Sequence, residues 1–224
     1  MSFRGFVSTL VPASLVIVSS LCVAQQQSPD VNADGLQHVR DSNLALVYAQ
    51  PGIDLGIYKR IYLDDAYIAF KKNWQRDRKR SNSDKISADD MDKIRLELSL
   101  LFRDVFSGTL EAGGYELVTE RAADVLLIRP AIINLDVIAP ATAQGNDVRT
   151  FSESAGEMTL YLELCDSLTD DLIAKALDRK IDRKTGYFKW QNRVTNRAAA
   201  NRILTVWADV LKEGLDHAMG PSTR

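Results

Sequence analysis

From Glu157 to Leu164 apolar and polar residues alternate without a break: Met158, Leu160, Leu162 and Leu164 fall on one side, Glu157, Thr159, Tyr161, Glu163 and then Cys165 on the other. A period of two belongs to a β-strand, whose successive side chains point to opposite faces. A strand with one apolar face needs a second layer to cover it, so this chain must hold a sheet that is buried on one side and partly wet on the other. Residues 167–171 (SLTDD) then read as a turn and residues 172–181 as a second strand, forming a hairpin. The cover comes from two helical patterns. Met91, Ile94, Leu98, Leu101 and Val105 recur at helical spacing, and Phe102 and Phe106 widen the stripe. Ser87-Ala88-Asp89-Asp90 opens this helix like a capping box, with Asp90 near the positive end of the helix dipole, and Gly113-Gly114 closes it. A last helix, capped by Thr195 or Asn196, would bury Ile203, Val206, Trp207, Val210 and Leu211.

The remaining strands follow from shorter signals. Residues 44–48 form an initial extended segment before the turn Pro51-Gly52, and residues 58–70 read as a strand with a bulge at Asp64-Asp65, where the alternation slips. Residues 115–118 make a short strand and residues 125–138 a long one. Pro130 has no N–H for a ladder, which puts it at an edge or a bulge. Residues 139–154 loop out. The expected architecture is α+β: a two-layer sandwich of one mainly antiparallel or mixed sheet with two long helices on one face.

The N-terminal residues read as an address. Arg4 precedes an apolar stretch, residues 6–21, whose unbroken core runs only from Leu15 to Val18; Pro12 and four serines make it a poor permanent anchor, since a spanning helix needs roughly 20 apolar residues. Cys22-Val23-Ala24 offers small residues to a signal peptidase, with cleavage after Ala24. Cys22 gives the alternative of a lipidated first residue, although Leu21 is larger than the residue that reaction prefers. The organisation expected is a signal peptide at 1–24, a flexible leader at 25–43, one α+β domain at 44–219 and a tail at 220–224. The protein is then periplasmic or secreted, or, with Cys22 lipidated, a membrane-anchored lipoprotein. Beyond residue 24 Cys165 is the only cysteine, so stability must come from the apolar core and not from disulfides.

With these elements placed, residues 44–219 resemble an exported bacterial family catalogued as domain of unknown function 3313. The resemblance rests on Tyr58-Lys59-Arg60-Ile61 at the first main strand and on Ala123-Asp124-Val125-Leu126-Leu127 with Arg129-Pro130-Ala131 at the long one. It rests also on the strand from Gly156 that ends in Leu164-Cys165-Asp166-Ser167, followed by Leu172-Ile173-Ala174. Members of that family often resemble lipoproteins, a pattern from which Leu21-Cys22 departs. The resemblance implies a fold; no activity and no functional residue come with it.

The search for chemistry yields no catalytic, cofactor or metal site. The two histidines, His38 and His217, lack a second ligand at metal-binding spacing. His38 reads as a solvated leader residue and His217 as a partner for the negative end of the last helix. There is no Gly-x-Ser-x-Gly elbow and no phosphate-cradling glycine loop. Cys165 reads as a half-buried, inert thiol. Asp64-Asp65, Asp89-Asp90 and Asp170-Asp171 are the support for an alternative, an exported hydrolase with carboxylates that cluster in the fold.

Two basic segments stand out in a chain whose formal charge is only −2. Residues 71–85 hold seven Lys or Arg against two Asp, and residues 179–197 hold seven against one; Trp74 lies in the first, and Tyr187, Phe188 and Trp190 in the second. The bland reading is two solvated loops. The functional reading makes Lys71, Lys72, Trp74, Arg76, Arg78, Lys79, Arg80, Arg183, Lys184, Lys189, Trp190 and Arg193 an anion- or partner-binding rim, with guanidiniums holding phosphate or carboxylate. The expected function is a non-enzymatic envelope protein that binds a protein partner or an anionic envelope component there. A structural subunit of an envelope assembly is a further alternative. No nucleic acid is expected in that compartment, and membrane association follows only if Cys22 is lipidated. Mass spectrometry of the mature protein is expected to show an N-terminus at Gln25; a diacylated Cys22 would overturn this reading.

Overall fold

The alternating strand sits near the middle of an eight-stranded sheet. The computed structural model of the chain describes residues 31–76, 87–137, 151–152, 156–181, 189–190 and 193–219. In chain order the strands are β1 (Gln37–His38), β2 (Leu46–Ala49), β3 (Arg60–Leu63), β4 (Tyr67–Phe70), β5 (Glu116–Leu117), β6 (Val125–Val137), β7 (Phe151–Ser152), β8 (Gly156–Asp166), β9 (Leu172–Ile181) and β10 (Lys189–Trp190). The helices are α1 (Ala88–Ala112) and α2 (Arg193–Met219). The sheet runs β1-β2-β9-β8-β6-β3-β5, with β4 also on β6, while β7 and β10 form a separate antiparallel pair. β3 and β4 lie parallel to β6, and β5 parallel to β3; the other pairs are antiparallel. This is the mixed α+β sheet expected.

Both helices cover one face. Ile94, Leu98, Leu101, Phe102 and Phe106 of α1 and Ile203, Leu204, Trp207, Ala208 and Leu211 of α2 share a core with Leu126, Ile128 and Ile132 of β6 and with Met158, Leu160 and Leu162 of β8. The last three are alternate residues of β8. α1 opens with a true capping box: Ser87 Oγ accepts from the Asp90 amide at 3.1 Å, and the Asp90 carboxylate accepts from the Ser87 amide at 3.0 Å. At its end Gly113 stays right-handed and Gly114 takes φ 91°, the left-handed conformation that favours glycine.

Several expectations need correction. α2 starts at Arg193, soon after β10, so Thr195 and Asn196 lie in its first turn instead of capping it. Its buried stripe runs 203/204, 207/208, 211 and 215; residue 206 falls outside that period, and Val206 is exposed. The packed chain also begins before residue 44. Leu36 is buried, Gln37–His38 pairs with β2, and Asp34 forms an ion pair with Lys175.

Pro130 is neither at an edge nor at a bulge. It lies inside β6, opposite Leu162 of β8. The reason is on the other side of β6, where residues 58–70 are divided into two strands. The register with β3 ends at Leu63 opposite Ile128, and that with β4 begins at Tyr67 opposite Ala131. The Asp64 amide donates to the Ile128 carbonyl at 2.9 Å, and a residue two further along turns its backbone the same way. Position 130 thus faces the break between β3 and β4, where no ladder donor is required. The irregularity in β6 falls instead beside Asn134, at φ 53°.

One buried polar group joins three parts of the fold. Asp178 of β9 accepts from Trp207 Nε1 at 2.7 Å, from the Ala45 amide at 3.1 Å and from Lys180 Nζ at 2.9 Å. It therefore ties α2 and the segment before β2 to the sheet. Trp207→Ala removes both the fully buried ring and the donor, and is expected to lower stability by about 3–5 kcal/mol. Trp207→Phe keeps most of the packing, at a cost of about 1–3 kcal/mol. Urea unfolding midpoints measured at a constant m-value check both.

Candidate functional site

β6, β8 and β9 run together from the turn at residues 166–171 to a far end where Val137 is opposite Gly156 and Glu157 is opposite Ile181. Those ends are separated by about ten residues of strand, roughly 33 Å at the usual rise. The two basic segments both start at the far end. The Lys71 amide donates to the Leu135 carbonyl at 3.0 Å. Its ammonium lies 3.5 Å from Asp136 and 3.8 Å from Glu157. Arg179, first residue of the second segment, forms an ion pair with the same Glu157. One carboxylate at the start of β8 thus anchors the beginnings of both segments. The sequence marks Glu157 only as an outward strand position; its role becomes visible through the register that sets β4 and β9 on either side of β6 and β8.

Beyond that anchor the rim is described in part. Lys72 is exposed. Lys189 and Trp190 lie in β10, paired with β7, and Arg193 is the first residue of α2. Arg78, Lys79, Arg80, Arg183 and Lys184 lie outside the described residues.

Trp74 is not a surface aromatic. It is 3% exposed, its ring centroid 4.6 Å from that of Phe70 at an angle of 31°. A turn explains this: the Trp74 amide donates to the Lys71 carbonyl at 3.0 Å, and Asn73 takes φ 64°, a conformation asparagine tolerates better than most residues. The chain folds back after β4 and packs the indole against that strand's last residue. Among the described residues no acceptor meets Trp74 Nε1.

Lys71, Trp74 and Arg76 line a groove of about 950 Å³ between β4 and the first half of α1. Its opposite wall carries Met91, Asp92, Arg95, Leu96 and Ser99. The Arg95 guanidinium lies 5.3 Å above the Phe70 ring, a cation–π contact, and pairs with Asp92. Sequence reasoning missed this wall, because Arg95 and Leu96 sit on the flank of α1 that its core stripe leaves out.

The titratable pairs noted in the sequence sit on separate elements. Asp64 and Asp65 occupy the break between β3 and β4, with Asp65 bound to Arg103; Asp89 and Asp90 are in the first turn of α1; Asp170 and Asp171 are in the turn between β8 and β9. Asp170 accepts from Arg121 at 2.9 Å and pairs with Arg129, and these guanidiniums hold its carboxyl below the usual range. Cys165 is buried, and burial pushes its thiol up despite Arg129 at 3.7 Å, so it is no thiolate nucleophile at neutral pH. His38 is not free in a leader: its ring lies 5.4 Å from that of Tyr48 across the β1–β2 pair. His217 is in the last turn of α2, as expected. Among the described residues there is no group of three or more His, Cys, Asp or Glu able to hold a metal, and no helix long and apolar enough to cross a membrane.

Comparison with known proteins adds a family. A family model described as "Protein of unknown function (DUF3313)" matches residues 26–211. No curated protein sequence matches the chain. Among solved structures it is similar to a PelC dodecamer from Paraburkholderia phytofirmans, at 9% identity and a TM-score of 0.39, over 74% of this chain and 96% of that one. It is also similar to a minor lipoprotein from Acinetobacter baumannii, at 10% identity and a TM-score of 0.34, over 70% and 95% of the two chains.

The turn end of the sheet carries its own pH dependence. Asp166 accepts from the amides of Thr169 at 3.0 Å and Leu168 at 2.8 Å and from the Tyr58 hydroxyl at 3.0 Å, and these bonds hold its carboxyl below the ordinary value. Burial and the same carboxylate push the Tyr58 hydroxyl up to about 12. A depressed carboxyl stabilises the fold above its unfolded pKa of about 3.9 and loses that contribution as pH falls through the folded value. Asp166→Asn is therefore expected to be less stable than the parent at pH 7, with the gap closing toward pH 2–3; denaturant melts at the two pH values check this.

Proposed function

We propose, for a chain that belongs to the DUF3313 family, a non-enzymatic role in the cell envelope: binding a protein partner or an anionic envelope component through the two basic segments. What carries this reading is the meeting of Lys71 and Arg179 at Glu157, which starts both segments from one end of the sheet. Cations distributed in this way act together on a polyanion, because each guanidinium or ammonium adds to one local field. The export reading supports the class of partner: lipid headgroups, lipopolysaccharide, cell-wall polymer and acidic protein surfaces are the anions such a protein meets. The hydrolase alternative loses its support with the dispersal of the aspartate pairs. Binding of this kind falls as salt rises.

The test is co-sedimentation of the purified protein with anionic vesicles and with cell-wall sacculi. Reversing the charge of Arg78, Lys79, Arg80, Arg183 and Lys184 together is expected to reduce retention at least about tenfold, given that clustered charges add. Retention unchanged by the five reversals would remove the basic segments from the function.

A further inference from the structure

We propose that Lys71 and Arg179 form a two-cation subsite for one phosphodiester group of an envelope lipid, and that the Glu157 carboxylate fills this subsite in the free protein as an internal competitor; this rests on the reading of the chain as an anion-binding protein. Met158 and Leu160 of β8 turn to the core beneath the helices, so Glu157 lies on the opposite face of the sheet. Arg179 of β9 is on that face as well, because it is the register partner of Thr159, two residues along β8 from Glu157. Lys71 arrives from the far side of β6, where its ammonium is 3.5 Å from Asp136 and 3.8 Å from Glu157. The ammonium meets Glu157 Oε1 and the Arg179 guanidinium meets Oε2. One carboxylate, its single negative charge shared by two oxygens, thus holds two cations brought by two different strands. A phosphodiester carries the same charge on the same number of terminal oxygens and accepts from the same pair of donors.

Burial decides which partners move. The side chains of Glu157 and Asp136 are 19% and 24% exposed, whereas those of Lys71 and Arg179 are 52% and 59% exposed. The acids stay in the sheet, and the long cationic side chains turn outward to a ligand. When they do, Glu157 remains mostly covered without either of them, and a covered charge that loses its partners is costly. Anion binding at this end of the sheet is therefore opposed by a carboxylate built into β8. Removing that charge frees both cations at once, and the gain depends on their presence.

The experiment is co-sedimentation of the purified protein with vesicles of phosphatidylcholine containing phosphatidylglycerol, whose headgroup supplies the phosphodiester. Glu157→Gln keeps the size of the side chain and removes its charge; it is expected to raise the partition constant about threefold, the combined worth of two exposed ion pairs. Lys71→Gln together with Arg179→Gln is expected to weaken retention at least about fivefold, the usual worth of a single cation at an anionic lipid surface. Adding Glu157→Gln to that pair is expected to give no gain, because the competitor has lost what it competes for; the double-mutant cycle reads this coupling. A gain of the same size with and without the two cations would be a general effect of net charge and would overturn the subsite. Unchanged or weaker retention of Glu157→Gln, with a urea midpoint matching the parent's, would make Glu157 an anchor only and overturn it as well. Should Glu157→Gln fail to fold, the cation pair decides: retention unaffected by its loss removes the subsite. A gain with sacculi but not with vesicles would assign the anion to wall polymer and overturn the lipid assignment. Failure of the wider reading is separate, since it shows as retention unaffected by the five charge reversals, none of which touches Lys71, Glu157 or Arg179.

Discussion

The register between β6 and β8 is the constraint on which the rest of the molecule depends. It aligns Leu126, Ile128 and Ile132 with Leu160 and Leu162 on one face, and that apolar surface is what α1 and α2 cover. A slip of one residue would turn the whole set to the wrong side. The same pairing sends the hairpin turn to one end and Glu157 to the other, so the core, the tightly bonded turn and the basic end are consequences of one alignment.

The two ends differ in how their charges are used. At the turn end carboxylates are held locally: Asp166 by backbone amides and Tyr58, Asp170 by Arg121 and Arg129, Asp124 by Arg60 at 2.7 Å. At the other end two carboxylates, Asp136 and Glu157, meet the first cations of segments that hold seven each. These pairs join exposed cations to carboxylates that are mostly covered, so one half-buried acid at each position holds the start of a basic segment against the sheet.

Much of the fold was legible because its signals are local. The alternation of β8, the stripe of α1, the Ser87 cap and the Gly113-Gly114 stop each depend on residues within a few positions of one another. What escaped depends on partners far away in the chain. Pro130 is tolerated in a central strand only because residues 64–66 interrupt the neighbouring one, and no window around Pro130 contains that fact. Trp74 reads as a rim aromatic from its basic neighbours and is buried by a turn at Asn73. The candidate site was half legible: the cations announce themselves by composition, whereas Glu157, Arg95 and Leu96 acquire meaning only when β4, β8 and α1 are placed side by side.

Cys165, the one cysteine between residues 25 and 224, is sealed beneath Arg129 with its proton held on. Burial and a raised thiol both lower its reactivity toward other thiols and disulfides. With no second cysteine in that span, the described domain holds no internal disulfide, so its fold rests on the apolar core and on no oxidant or isomerase.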